Sequence, residues 1–235
     1  MTLERKFHEF ASSLHHGECI DSLPNHLFKE DKADYLLYYR GLILEVKYLT
    51  EDRGKTISER INQLANSDPS FPQFFGTVHI EDVIRSHRDS EKFRQWICNY
   101  AARTLDAVIQ KANRQIQKTK KALDLERSTG VLVLLNEGVQ LYDDDFVLQE
   151  VSRLLHKKRD GSFERPHVEV VWYLNEYATA TTRLGSSNTF IGPAARNDHA
   201  DRFMNMLHVA WCATNGYAMK RGISTQCSNT GSEGA

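Results

Sequence analysis

The stretch KADYLLYYRGLILEVKY, residues 32–48, combines runs of Tyr, Leu, Ile and Val with one central glycine. These residue types favour β-strands, and glycine adopts turn conformations without a steric penalty. The stretch therefore predicts a β-hairpin with strands Ala33–Tyr39 and Leu42–Leu49, joined at Arg40-Gly41.

Side-chain alternation along this hairpin places Asp34, Glu45 and Lys47 on one face. A two-residue loop pairs Asp34 with Lys47 and Leu36 with Glu45, and directly paired Cβ atoms lie about 5 Å apart. The three ionisable groups can then reach one small ion, which indicates a metal site. A loop one residue longer would move Asp34 to the opposite face. On spacing alone, an ordinary hairpin with an Asp34–Lys47 salt bridge is the alternative.

The pattern of Asp34, ten residues and then Glu45-Val46-Lys47 in an apolar strand resembles the PD-(D/E)XK nuclease superfamily. Ala33 stands where the family's name has proline. The resemblance covers roughly the first 70 residues and, in the order of the elements only, the region to Glu176. It implies an α/β fold, a three-layer α/β/α restriction-endonuclease-like core with a mixed central sheet, to which this chain adds a long extra helix.

The resemblance also implies a magnesium-dependent active site on the hairpin. Asp34, Glu45 and the Val46 carbonyl would hold Mg²⁺, or Mn²⁺ as a substitute, because hard divalent cations prefer oxygen ligands. Lys47 would orient the attacking water and stabilise negative charge in the transition state.

Two further members of the site are implied by their position in the family's order of elements. A glutamate of the first helix, predicted at Leu3–Leu14, often joins the metal cluster, and Glu9 is the candidate, with Glu4 or Glu18 as alternatives. Gln63 lies on the helix predicted after the hairpin and matches a polar residue aimed at the active site, although a solvated glutamine also explains it.

Basic residues that could contact nucleic acid lie in two places. The helix predicted from Ser90 to about Arg127 carries a row opposite its apolar stripe, and Arg53 and Lys55 lie in a polar loop. Such a row could contact phosphates, although most charged helix faces are merely solvated. The row consists of Lys111, Arg114, Lys118 and Lys121.

The second half of the chain predicts parallel strands. Gly130–Leu135 is a continuous apolar run typical of a buried strand, and it is followed by a helix at Asp143–Lys158 and a strand at His167–Leu174. Thr179–Asn197 has the composition of a loop, and His199–Thr214 that of an amphipathic helix. We expect a core over residues 1–178, a C-terminal loop and helix packed on it over 179–223, and a disordered tail over 224–235.

Composition excludes several classes of protein. The 235 residues are 40% hydrophobic and 26% charged, with no apolar run long enough to span a bilayer and a charged N-terminus unlike a signal peptide, so a cytoplasmic location is expected. The four cysteines show no Cys-x-x-Cys spacing, which argues against a zinc knuckle or a disulfide framework. The net charge of −1 gives no global signature of nucleic-acid binding, although local positive charge is compatible with it.

These observations favour a metal-dependent nuclease, most simply a DNA endonuclease of restriction, defence or repair type, with RNA as an open alternative. Two cuts in a duplex usually need two sites, which a homodimer would supply. The rival hypothesis is a non-catalytic nucleic-acid-binding or protein-interaction domain on the same fold. A third hypothesis, a hydrolase using His199, lacks a nucleophile elbow or a Cys-His pairing in the sequence.

Overall fold

A computed structural model of the chain describes residues 1–24, 28, 31–49, 59, 61–67, 71–72, 80–137, 139, 142, 144–182, 185–195 and 198–216. These residues form a mixed α/β fold. The strands are β1 Glu18–Cys19, β2 Tyr35–Leu37, β3 Leu42–Leu49, β4 Thr129–Asn136, β5 Lys158–Arg159, β6 Ser162–Phe163, β7 Val170–Thr182 and β8 Gly185–Ala195. The helices among these residues are α1 Leu3–Ser13, α2 Ile80–Ser86, α3 Ser90–Leu123, α4 Asp144–Leu155 and α5 Asp198–Asn215, with a short 3-10 helix at Ile20–Ser22. Residues 61–67 are also helical.

Six of the strands form one mixed sheet in the order β1-β2-β3-β4-β7-β8, and β5 and β6 form a separate small hairpin. The central strands β3, β4 and β7 are parallel. The outer strands are antiparallel to their neighbours: β2 pairs with β3, β1 with β2, and β8 with β7. The predicted parallel pairing of the two strands on either side of α4 is therefore confirmed. All eight residues of β4 are buried, as its continuous apolar sequence predicts.

Helices cover both faces of this sheet. On the face that we call the α3 face, Leu36, Ile43, Leu132 and Leu134 pack with apolar residues of α3 and α4. On the opposite α1 face, Leu37, Leu44, Val133 and Trp172 pack with residues of α1 and α5. The period-two alternation of the strands thus divides the core into two clusters, one on each side of the sheet.

A third and smaller cluster lies beside the first turns of α3. Phe71, Val83, Ile84, Phe93 and Ile97 are buried together, and the apolar side of residues 61–67 packs against them. The helix α3 itself spans 34 residues, about 50 Å at the rise of an α-helix. Among the helices described, none is both long enough and apolar enough to cross a bilayer.

Two predicted boundaries need correction. Thr179–Asn197 is not a loop, because β7 continues to Thr182 and pairs with β8, for instance Ala180 with Ser187. Glycine and proline are tolerated in β8 since it is an edge strand of the sheet. The long helix ends at Leu123 and not near Arg127. Asp124, the residue after Leu123, takes a left-handed conformation, and its N–H donates to the Lys120 carbonyl. The predicted tail, residues 224–235, lies outside the described residues.

Gly130 lies at the start of β4, in close contact with the main chain of His167, three residues before β7 begins. A substitution at Gly130 tests this contact. A Cβ atom there would overlap the His167 carbonyl oxygen and lie 2.9 Å from Ile116 Cγ2, so Gly130→Ala should lower the free energy of unfolding by about 3 kcal/mol. Urea unfolding measures this loss. The control is Gly41→Ala, whose nearest neighbour is the Tyr38 oxygen at 3.1 Å, and it should cost less than about 1 kcal/mol. Equal losses in the two variants would contradict the packing described.

Candidate functional site

The hairpin forms as predicted, but with a longer loop. Leu36 lies opposite Ile43, not Glu45, and the loop is the four residues Tyr38 to Gly41. The register therefore differs from the prediction by two positions. Because side chains alternate with a period of two, a shift of two leaves Glu45 on its predicted face, the α3 face.

The longer loop depends on an unusual backbone. Tyr38, Tyr39 and Arg40 all take positive φ angles, 50°, 55° and 65°, a region that residues other than glycine rarely adopt. Gly41 N–H closes the loop on the Tyr38 carbonyl at 3.0 Å. No glycine stands at the first three positions of the loop, so its left-handed backbone could not be predicted from the residue types.

Asp34 extends the β2–β3 ladder through its side chain. Its Oδ2 accepts the Val46 N–H at 2.7 Å, and its main-chain N–H bonds the Leu44 carbonyl at 3.0 Å. Burial raises the pKa of the Asp34 carboxyl, while the Val46 N–H and the Lys47 charge oppose that increase. The carboxyl is thus held in a fixed position beside the middle of β3.

Glu45 is completely buried in the centre of the sheet. Its Oε1 forms an ion pair with Lys47 Nζ, and its Oε2 is buried with no hydrogen-bond partner among the described residues. Burial and the neighbouring Asp34 carboxylate raise the pKa of Glu45 to about 8, against the opposing charges of Lys47 and Lys111. A buried carboxylate with a free oxygen is costly unless a cation or a proton compensates it.

One stripe of α3 flanks the start of the hairpin. Thr119 Oγ1 accepts the Ala33 N–H at 2.8 Å, and Gln115 Nε2 donates to the Lys32 carbonyl at 3.0 Å. Lys111 lies one turn before Gln115 on the same stripe, and its charge acts on Glu45. The first member of the predicted basic row therefore belongs beside the hairpin cluster.

The other members of the basic row lie further along α3. Arg114 and Lys121 are exposed and Lys118 is half-buried. The predicted contacts Arg53 and Lys55 lie outside the described residues.

The structure does not bring the predicted glutamate of the first helix to the cluster. Glu9 is exposed and its Oε1 pairs with Arg5 Nε at 2.9 Å, on a helix that packs against the opposite, α1 face of the sheet. Glu4 lies on the same helix and bonds the Tyr48 hydroxyl. Glu18 lies in β1 and is held by the arginine of the hairpin loop.

Gln63 is also separate from the cluster. It is exposed on the helical residues 61–67, and the apolar residues of that helix pack in the small cluster around Phe93 and Ile97. The structure therefore assembles Asp34, Glu45, Lys47 and Lys111, and places Glu9 and Gln63 elsewhere.

Several polar residues of α3 are buried, which the sequence pattern does not reveal. Lys120 is buried and its Nζ pairs with Glu169 Oε1 at 3.2 Å, while Asn113 Oδ1 accepts the His167 N–H at 2.8 Å. The only signal was the presence of polar residues next to the apolar stripe, which a helical projection assigns to solvent.

A Cys–His contact that the sequence did not reveal lies in α5. Cys212 Sγ is 3.6 Å from His208 Nε2. Burial raises the pKa of the Cys212 thiol and lowers the pKa of His208 to about 4, so both groups are neutral near pH 7. A thiol of raised pKa is a poor nucleophile, and the contact gives no support to a hydrolase in this part of the chain.

The donor set of the hairpin fits one hard cation. Within the described ranges, no group of three or more His, Cys, Asp and Glu side chains is placed to hold a metal ion. Mg²⁺ needs only one or two carboxylates, since it keeps several waters and binds substrate phosphates. Asp34 and Glu45 meet that requirement, and the unpartnered Glu45 Oε2 is a ready ligand.

Comparisons of the chain with protein-family models, with curated proteins and with solved structures gave no match.

The raised pKa of Glu45 predicts how stability depends on pH. Between the ordinary pKa of 4.5 and about 8, the folded protein keeps a proton that the unfolded chain has lost, so the free energy of unfolding should fall as the pH rises. Urea unfolding in EDTA from pH 5 to pH 8 measures this. Glu45→Gln should reduce the slope, and the exposed control Glu9→Gln should keep it. An unchanged slope in Glu45→Gln would refute the assignment.

Proposed function

We propose that this protein is a metal-dependent nuclease that hydrolyses phosphodiester bonds, with DNA as its substrate, on a three-layer restriction-endonuclease-like core. The observation that carries the proposal is the fully buried Glu45, whose Oε2 has no partner in the described chain, on the same face of a hairpin as Asp34 and Lys47. The mixed sheet with helices on both faces supports it at the level of the fold.

A purely structural role explains the cluster less well. The simple alternative was a salt bridge between Asp34 and Lys47, but Lys47 pairs with Glu45 while Asp34 binds the Val46 N–H. A second buried carboxylate beside that pair costs stability, and an apolar residue at position 45 would remove the cost. Ionisable groups whose pKa is shifted by burial and by a like charge are typical of active sites.

Each residue of the cluster has a defined task in this proposal. Asp34, Glu45 and the Val46 carbonyl would hold Mg²⁺, or Mn²⁺ in its place. When bound, such an ion supplies a water nucleophile and stabilises charge on the phosphoryl oxygens. Lys47 carries an ammonium group on the same face of β3 as Glu45, from which it would orient the attacking water and stabilise the negative charge that develops on the phosphoryl oxygens.

Lys111 supports a phosphate-binding surface next to this cluster. Its charge acts on Glu45 from α3, so a strand bound over the cluster meets a cation from the sheet and another from the helix. The row continues along α3 with Arg114, Lys118 and Lys121. A homodimer would supply the second site that a double-strand cut by an endonuclease of restriction, defence or repair type needs.

A non-catalytic nucleic-acid-binding domain is the second candidate. The Lys47–Glu45 ion pair favours it, because the pair neutralises one carboxylate without any metal. Metal titration distinguishes the two functions, since a binding domain should gain no thermal stability from millimolar Mg²⁺ or Mn²⁺.

Cleavage of supercoiled plasmid and of single-stranded DNA with Mg²⁺ or Mn²⁺ tests the nuclease function. Asp34→Ala and Lys47→Ala should each lower the rate by at least about 100-fold, because each removes a group that acts on the reacting phosphate or on its metal. Glu9→Gln is the matched control and should cleave like the wild type. A wild type that leaves DNA and RNA intact, or a fully active Lys47→Ala variant, would refute the proposal.

Lys111→Gln tests the phosphate-binding surface separately. If Lys111 neutralises one phosphate, its loss should reduce the slope of log affinity against log salt concentration by about 1. Fluorescence anisotropy of labelled duplex DNA in EDTA, from 50 to about 200 mM salt, measures the slope. Arg85→Gln on α2 is the control. An identical change of slope in both variants would contradict the assignment of Lys111 to the phosphate-binding surface.

A further inference from the structure

An exposed group of three aromatic rings lies at the hairpin loop, outside the carboxylate cluster. The ring of Tyr39 contacts that of His16, with centroids 3.8 Å apart and planes inclined by 31°, and the ring of His15 contacts that of His16 at 3.7 Å and 54°. Tyr39 is 77% exposed, and both histidines are exposed. Three aromatic rings in contact at the surface contribute little to a core.

The backbone holds these rings in a strained arrangement. His16 has a φ of 60° and Tyr39 a φ of 55°, and both lie in the left-handed region. Glycine would occupy that region without a steric penalty, so the hairpin does not need a tyrosine at position 39 for its turn. Strained conformations of this kind persist where the surroundings enforce them, and they concentrate at functional sites.

The surroundings of the loop provide that enforcement. Arg40 donates two hydrogen bonds to the Glu18 carboxylate, at 2.9 and 2.7 Å. The Arg40 carbonyl accepts the Ser128 hydroxyl at 2.6 Å, and the Gly41 carbonyl accepts the Thr129 N–H at 2.9 Å. The loop is thus fastened to β1 and to the start of β4, and the Tyr39 ring has a fixed backbone beneath it.

We propose that the exposed Tyr39 ring, which His16 and His15 support from one side, is a platform for an unpaired base of a nucleic-acid strand. Every base has a flat π-face that stacks on Tyr or His rings, and a preorganised ring loses little conformational freedom on binding. The Arg40 side chain, still 41% exposed after pairing with Glu18, offers a cation for the adjoining phosphate. The identity of the ligand rests on the proposed function, whereas the geometry of the three rings does not.

The platform and the carboxylate cluster share the hairpin. Leu42 follows the loop directly, and Glu45 is three residues further along β3, about 10 Å at the rise of a β-strand. Because His15 and His16 follow α1, which covers the face of the sheet opposite to Glu45, the platform holds an unpaired base of the strand outside the carboxylate cluster.

Binding of fluorescein-labelled oligo-dT and oligo-U 12-mers to the full chain in EDTA tests the platform without cleavage. Tyr39→Ala should weaken binding about 5- to 150-fold, the range of one lost stacking interaction, while Tyr39→Phe should stay within about twofold of the wild type. A blunt duplex of the same length should bind both variants almost equally, because its internal bases are already stacked.

Tyr39→Gly separates binding from folding. Glycine relieves the positive φ, so this variant should melt at a higher temperature than the wild type and still bind the 12-mers as weakly as Tyr39→Ala does. The platform is overturned if Tyr39→Ala binds like the wild type, or if Tyr39→Phe loses as much as Tyr39→Ala.

The two proposals fail in different ways in these experiments. If the wild type binds the 12-mers through Tyr39 but cleaves no nucleic acid, the platform is supported and the nuclease function is refuted. If the wild type cleaves DNA and the Tyr39 variants have the same rates and affinities as the wild type, the nuclease function is supported and the platform is refuted.

Discussion

The cost of burying the Glu45 carboxylate is the constraint on which the rest of this structure depends. Glu45 lies in β3, between the antiparallel strand β2 and the parallel strand β4, with α3 packed over its face. A charge in that position needs compensation from nearby groups of opposite charge. Lys47 provides it from the same strand and Lys111 from the helix, while the Val46 N–H fixes the second carboxylate, Asp34, at the side. The arrangement of hairpin and long helix thus creates one strongly polarised position inside an apolar core.

The face of the hairpin could be predicted from the sequence, whereas its register could not. Alternation of polar and apolar residues places Asp34 and Glu45 on one side of the hairpin in the predicted register. It does so equally in any register that differs from the predicted one by an even number of residues. The register depends on the loop, and the loop uses left-handed conformations at Tyr38, Tyr39 and Arg40, none of which is a residue that signals a turn. The parallel strands could also be predicted, because a continuous apolar run such as that of β4 is typical of a strand buried on both faces of a sheet.

The predictions that were wrong share a cause, namely that a local pattern does not identify the partner. The apolar stripe of α1 shows which residues are buried, but not which face of the sheet they cover, and the structure places Glu9 on the side away from Asp34 and Glu45. The sequence also does not show that Gln115 and Thr119 bind the main chain of residues some 80 positions earlier. The continuation of β7 and the strand β8 were missed because edge strands accept Gly, Ser and Pro, the residues that also mark loops.

The two-position shift in the hairpin has a consequence for how the carboxylate cluster tolerates slips of register. A slip of two residues between β2 and β3 slides one strand along the other and leaves every side chain on its original side. A register slip of one residue would reverse the whole of β2, carrying Leu36 from the α3 face to the α1 face and the Asp34 carboxylate to the side covered by α1. The carboxylate cluster therefore survives a register slip of two residues and is lost in a slip of one.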